Sequence, residues 1–116
     1  MENEKRFQEL KSKFFGIRFT DGTIQVRVLE SVHEYIEEGA ELHHCLFSNE
    51  YYLKENSLIL SATIEGRIET IEVSLDTLKV VQSRGVCNQN SSYHDQIVSL
   101  VNANRRQISQ RMKATT

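Results

Sequence analysis

The stretch Leu58–Glu65, LILSATIE, is almost continuously apolar. A strand with one wet face alternates apolar and polar residues, whereas a strand covered on both faces reads as a nearly unbroken apolar run. The run has strand length and is bounded by a turn signal at Glu65-Gly66-Arg67. It therefore predicts a central, doubly covered strand. Downstream, Ile71, Val73 and Leu75 alternate with Thr70, Glu72 and Ser74, which predicts a second strand over Ile68–Leu75. Asp76-Thr77 is the next turn, and Leu78–Ser83 is a third strand. Three consecutive strands joined by short turns make an antiparallel meander.

Upstream, Phe15, Ile17 and Phe19 alternate with Gly16 and Arg18, and Ile24, Val26 and Val28 alternate after Thr20-Asp21-Gly22-Thr23. Asp-Gly is preferred in type I′ hairpin turns, where both central residues need positive φ. Phe7, Leu10 and Phe14 recur at helical spacing. Ser31 and Glu34 fit a capping box that opens a helix over residues 31–39, with Val32, Tyr35 and Ile36 on one face and Gly39 as its stop. A second helix is expected within Ala40–Leu53, starting near Leu42. Ser91 or Ser92 is expected to cap a long final helix carrying Tyr93, Ile97, Val101, Ile108 and Met112. The sum is an α+β domain of order ββα(α)βββα: an N-terminal hairpin plus a three-stranded meander, packed by helices.

At 116 residues the chain has the length of one domain, residues 1–116. No apolar run reaches the roughly 20 residues of a membrane-spanning helix, so no membrane partner is expected. The start, Met-Glu-Asn-Glu-Lys-Arg, lacks the apolar segment of a secretory signal. Two cysteines make no disulfide framework and fit free thiols in a reducing cytoplasm. Charge is unevenly spread: residues 1–76 hold 15 acids and 8 bases, whereas residues 77–116 hold one acid and 6 bases. Arg105, Arg106, Arg111 and Lys113 either complement the negative end of the last helix or attract phosphates or an acidic partner.

The chemistry-bearing residues fall in two clusters. The first is Glu41-Leu42-His43-His44-Cys45, and the second is Gln82-Ser83-Arg84-Gly85-Val86-Cys87-Asn88, followed by His94. A nucleophilic cysteine needs a helix N-terminus or an imidazole to favour its thiolate. Cys45 has His44 beside it, but neighbours on a helix point about 100° apart and cannot easily pair. Residues 58–83 contain no histidine. That leaves His94 as the later imidazole, with Gln82 or Asn88 as its orienter. Gln82 alternates with Leu78 and Val80 and is expected to share their face. Glu69 shares the face of Ile71 and Val73 and could pair with Arg84 or a histidine of the His43-His44 cluster. Zinc is chemically open to His43, His44, Cys45, Cys87 and His94, but their spacing is not that of paired ligands, so no metal site and no cofactor are assigned. The competing reading is that Cys45 and one histidine pack inward and the asparagines form turns. Tyr51 and Tyr52 could stack on a base, although an amphipathic helix would bury one of them.

The chain resembles the PcfJ-like proteins of conjugative plasmids, integrative elements and phages. The residues that carry the resemblance are Leu42-His43-His44-Cys45-Leu46, Tyr51-Tyr52, Ser57-Leu58-Ile59-Leu60-Ser61, Ile68-Glu69-Thr70-Ile71-Glu72-Val73 and Val81-Gln82-Ser83-Arg84-Gly85-Val86-Cys87-Asn88. Leu46 stands where valine is usual. The resemblance implies a role in mobile-element biology, with nucleic acid or a conjugation protein as partner, and supplies no established reaction. Binding would fall to His43, Tyr51, Tyr52, Arg84, Asn88, Arg105, Arg106 and Arg111, and a thiol chemistry to Cys45, His44, His94 and Gln82. Nothing in the sequence marks an oligomeric state.

Overall fold

The computed structural model describes residues 2–42, 51–85 and 92–113. Helix α1 (Glu2–Lys11) runs into a 3-10 turn at Ser12–Phe14, followed by strands β1 (Arg18–Thr20) and β2 (Gln25–Val28). Helix α2 (Val32–Leu42) comes next, then a 3-10 turn at Tyr51–Leu53. Strands β3 (Ser57–Ile64), β4 (Arg67–Ser74) and β5 (Val80–Arg84) precede helices α3 (His94–Ala103) and α4 (Arg105–Lys113). The five strands form one antiparallel sheet in the order β1-β2-β3-β4-β5. This is the expected α+β architecture, with β3 at its centre. Residues 43–50, the body of the helix expected after Leu42, lie outside the described residues.

Helices cover both faces of the sheet. On the first face Leu58, Leu60, Ala62 and Ile64 of β3 meet Val26, Val28, Ile71 and Val73 of the neighbouring strands. Ile97, Val101 and Ile108 of α3 and α4 close over them. On the second face Ile59 packs with Phe7 of α1, Tyr35 of α2, Leu29 and Tyr52. The Tyr35 ring meets both Phe7 and Tyr52 edge-on, at centroid distances of 5.4 and 5.7 Å. Each fully buried aliphatic or aromatic side chain contributes about 1.5–3 kcal/mol relative to exposure.

The second face is also polar. Lys11 is buried at the end of α1, and its ammonium donates to the backbone carbonyls of Lys54 and Ser57. Burial pulls its pKa down to about 8, against the opposing pull of Glu55. These two bonds tie α1 to the entrance of β3.

The capping box at α2 forms. The Ser31 hydroxyl accepts from the Glu34 N–H at 3.1 Å, and the Glu34 carboxylate reaches back to the Glu30 N–H at 2.6 Å. The helix passes through the buried Gly39 and is described as far as Leu42, with Tyr35, Glu38, Gly39 and Leu42 on its inward stripe. Ile36, expected on that stripe, is 43% exposed. The final helix is broken at Asn104, whose side-chain amide donates to the Leu100 carbonyl at 2.9 Å in place of helical continuation. Its N-cap is Tyr93, with no side-chain cap bond, rather than either serine.

The turn chemistry also differs from expectation. Gly22 has positive φ, but Asp21 does not, and its carboxylate instead accepts from the N–H groups of Thr23 and Ile24 at 2.9 and 2.8 Å. This is an Asx turn, in which the side chain satisfies the corner. The pair with positive φ at both positions is Glu65 (50°) and Gly66 (78°), joining β3 to β4. Replacing Gly66 with Ala forces a Cβ into that left-handed conformation, and urea denaturation is expected to show a loss of about 1–2 kcal/mol.

Candidate functional site

Strand β5 carries polar side chains to both faces of the sheet, and a bulge decides which face each one serves. Val80 lies opposite Val73, but Gln82 lies opposite Glu72, so Val81 is an extra residue in the ladder. A bulge of this kind shifts the side-chain phase. Val80 therefore faces the α3–α4 core, Val81 is 59% exposed, and Gln82 faces the α2 side. Simple alternation, which put Gln82 on the face of Val80, fails at this bulge.

On the α3 face, Glu69 of β4 is 1% exposed beside Ala62 and Ile71. Two groups meet its Oε2: the Ser83 hydroxyl, which donates to it, and the His94 ring, whose Nδ1 lies 3.0 Å away. An ionised carboxylate only accepts, so toward it Nδ1 carries the hydrogen and Nε2 is left pointing away. The His94 side chain is 26% exposed, whereas Glu69 is sealed beneath it. A buried carboxylate is costly unless hydrogen-bonded, and here a hydroxyl and an imidazole both meet it. Glu69 therefore orients His94, the role expected of Gln82 or Asn88.

On the α2 face, Glu72 is also buried. It accepts from the Ser57 hydroxyl at 2.6 Å and the Gln82 amide at 2.8 Å, and the Lys54 ammonium lies 3.6 Å away. The same Gln82 amide donates to the Tyr51 hydroxyl at 3.3 Å, and Lys54 lies 4.7 Å from the centroid of the Tyr51 ring. One turn before the end of α2, Glu38 accepts from the hydroxyls of Ser61, at 2.6 Å, and Thr70. Burial pushes its carboxyl above the ordinary value, while the two hydroxyls pull the other way.

The remaining candidates divide. Tyr52 is 8% exposed and belongs to the aromatic core, so its ring is not available for stacking on a base. Tyr51 is half-buried and engaged as described. Arg111 is half-buried, and its Nη1 donates to the carbonyls of Lys13 and Phe15 at 3.1 and 2.7 Å. It fastens α4 to the approach of β1 instead of facing a ligand. Arg105 and Arg106 are exposed on α4, and Arg84 is half-buried on β5. His43, His44, Cys45, Cys87 and Asn88 lie outside the described residues. Tyr51, the first described residue after Leu42, touches Gln82, and Gly85 directly follows β5. Among the described residues, no three His, Cys, Asp or Glu side chains gather as a metal site. No helix among them is long and apolar enough to cross a membrane.

Sequence reasoning missed Glu38, Glu72, Ser57 and Ser61 as site residues and named Ser83 only as a member of the second cluster. Glu38 had a readable signal: it lies three residues after Tyr35 and four before Leu42, on the inward stripe. Ser57 and Ser61 had one as well, as polar interruptions in the most buried strand. Glu72 had none, since it occupies what alternation marks as the wet face of β4.

Glu38→Gln tests the buried carboxyl. A folded-state pKa raised above the unfolded value means that its contribution is fully present below the unfolded pKa and is lost as pH rises through the folded one. Urea denaturation between pH 4 and pH 8 is expected to show wild type losing stability relative to Glu38→Gln as pH rises. Parallel profiles would contradict the buried assignment.

A family model described as PcfJ-like protein matches residues 1–98. No curated protein and no solved structure matches the chain.

Proposed function

The chain belongs to the PcfJ-like protein family, and from that membership and the geometry above we propose that it is a cytoplasmic accessory protein of a mobile genetic element, a conjugative plasmid, integrative element or phage. In this reading it assists DNA transfer by binding nucleic acid. The observation that carries the nucleic-acid partner is a shallow depression between β5 and the α3–α4 junction. Lys79, Val80, Val98, Asn102, Ala103 and Arg105 line it, two cations with no carboxylate among the described residues. Arg106 is exposed beside Arg105. Cations on a surface free of acids attract phosphates through counterion release. With Arg111 committed to backbone carbonyls, the experiment narrows to Arg105 and Arg106. Single-stranded oligonucleotide binding measured by anisotropy is expected to weaken in the double Arg→Gln variant. Its salt slope should fall by about 0.7 for each phosphate that the variant no longer neutralises. A wild-type protein that does not bind, or a variant with an unchanged slope, would sink the assignment.

The Glu69–His94 pair favours a second reading, a thiol-dependent enzyme in which His94 Nε2 takes the proton of Cys45. A carboxylate holding Nδ1 stabilises the imidazolium formed by that transfer and fixes the ring's tautomer, as the acidic member of a triad does. In a Cys87→Ser background, iodoacetamide is expected to alkylate Cys45 about tenfold faster than free cysteine at pH 7. His94→Ala should remove that advantage. Reaction at the free-cysteine rate in the parent would exclude the enzyme.

A further inference from the structure

The α2 side of the sheet is covered by helices over β3–β5 but stands open over the first hairpin. There the register sets Arg18 of β1 directly opposite Arg27 of β2, with Thr20 opposite Gln25 in the next row and Thr63 of β3 beside Gln25. These side chains line a concavity of about 520 Å³ that contains no acidic residue among the described ones. Like charges facing each other across two strands destabilise the pair; Glu34 offsets the charge of Arg27 from one side, whereas Arg18 meets no anion among the described residues.

Several donors in this concavity remain open to a ligand. Arg27 engages its neighbours through Nη1 alone: Glu34, at 3.2 and 3.1 Å, and the Val28 carbonyl. Its Nη2 and Nε engage no described residue. Arg18, Gln25 and Thr63 are exposed and make no side-chain bond with a described residue. Thr20 is occupied, since its hydroxyl donates to the Ile24 carbonyl at 2.6 Å. The concavity thus presents one whole guanidinium, the outer edge of a second, an amide and a hydroxyl. Guanidinium forks match the spacing of phosphate oxygens, and amide and hydroxyl donors complete the shell.

We propose that Arg18 and Arg27, with Gln25 and Thr63, form a phosphate-binding site on the open face of the β1–β2 hairpin. The site takes the phosphate of a nucleotide or of a nucleic-acid backbone. It is independent of the α4 patch, which lies with α3 and α4 against the other face of the sheet. The Glu34 carboxylate orients Arg27 by holding Nη1, so the ligand meets a prearranged donor. Without a ligand, the opposed arginines leave the hairpin less stable than it could be, a trade common where a site is kept ready for an anion.

The experiment follows backbone amides by NMR while inorganic phosphate, adenosine monophosphate or a twelve-residue oligothymidylate is added. In wild type, the amides of Gln25, Arg27 and Thr63 are expected to shift and saturate with at least one probe. Similar affinities for phosphate and the nucleotide identify a head-group site, whereas tighter binding of the oligonucleotide at the same amides identifies a backbone site. Arg18→Glu should weaken binding at these amides by at least about tenfold. The same variant should raise Tm in phosphate-free buffer by about 1–4 °C, because it turns a repulsive pair into an attractive one. Arg18→Gln should also weaken binding, with a smaller gain, because it removes the repulsion without adding an attraction. Replacing Arg105 and Arg106 with Gln should leave phosphate binding here unchanged, which separates this site from the α4 reading. Amides unmoved by all three probes, or full affinity in a folded Arg18→Glu protein, would overturn the proposal.

Discussion

Strand β3 sits between two unlike environments, and the rest of the molecule is arranged to satisfy both. Its Leu58, Leu60, Ala62 and Ile64 side chains meet an apolar layer of β-branched and aliphatic groups from α3 and α4. Its other side presents Ser57, Ile59 and Ser61 to α1, α2 and the Tyr51–Leu53 turn. A buried hydroxyl needs a partner, and each of these two serines donates to a carboxylate, Glu72 for Ser57 and Glu38 for Ser61. The polar side of β3 thus dictates where two glutamates are tolerated. Those glutamates dock α2 and align β5 through Gln82.

Burial of carboxylates on both faces distinguishes this sheet from an ordinary helix-covered one. Glu38, Glu69 and Glu72 are each 7% exposed or less. Each is met by hydroxyl, amide or imidazole hydrogens, and no buried polar side-chain atom among the described residues lacks a partner. Losing a single hydroxyl from such a network leaves its carboxylate undersatisfied at a cost of about 1–3 kcal/mol, more if the acid stays charged. The three sites join β3, β4 and β5 to one another and to α2 and α3.

The order of elements was legible because each rests on local physics: the apolar run of β3, the alternation in β2 and β4, the Ser31–Glu34 box and the spacing of Ile97, Val101 and Ile108. What escaped depended on neighbours distant in sequence or on one-residue irregularities. The bulge at Val81 leaves no mark in composition, yet it decides which face Gln82 serves. Asp21-Gly22 has the composition of a type I′ turn, but the Asp21 carboxylate offers its own corner. Arg111 reads as a solvated helix-end charge, and only the return of α4 to Lys13 and Phe15 shows it bound to carbonyls. Of the candidate site, the involvement of Glu69 and His94 was readable as an apolar-face acid and a late histidine. Their pairing was not, because it joins β4 to the start of a helix 25 residues away.

The regular alternation that resumes after the bulge has a mechanical consequence. Gln82 and Ser83 are adjacent in the chain but bond to carboxylates on opposite sides of the sheet, Glu72 and Glu69. A rigid strand that grips two separate compartments through consecutive residues behaves like the beam of a balance. A tilt of β5 that shortens one grip strains the other, so the imidazole under α3 and the tyrosine under α2 cannot be repositioned independently.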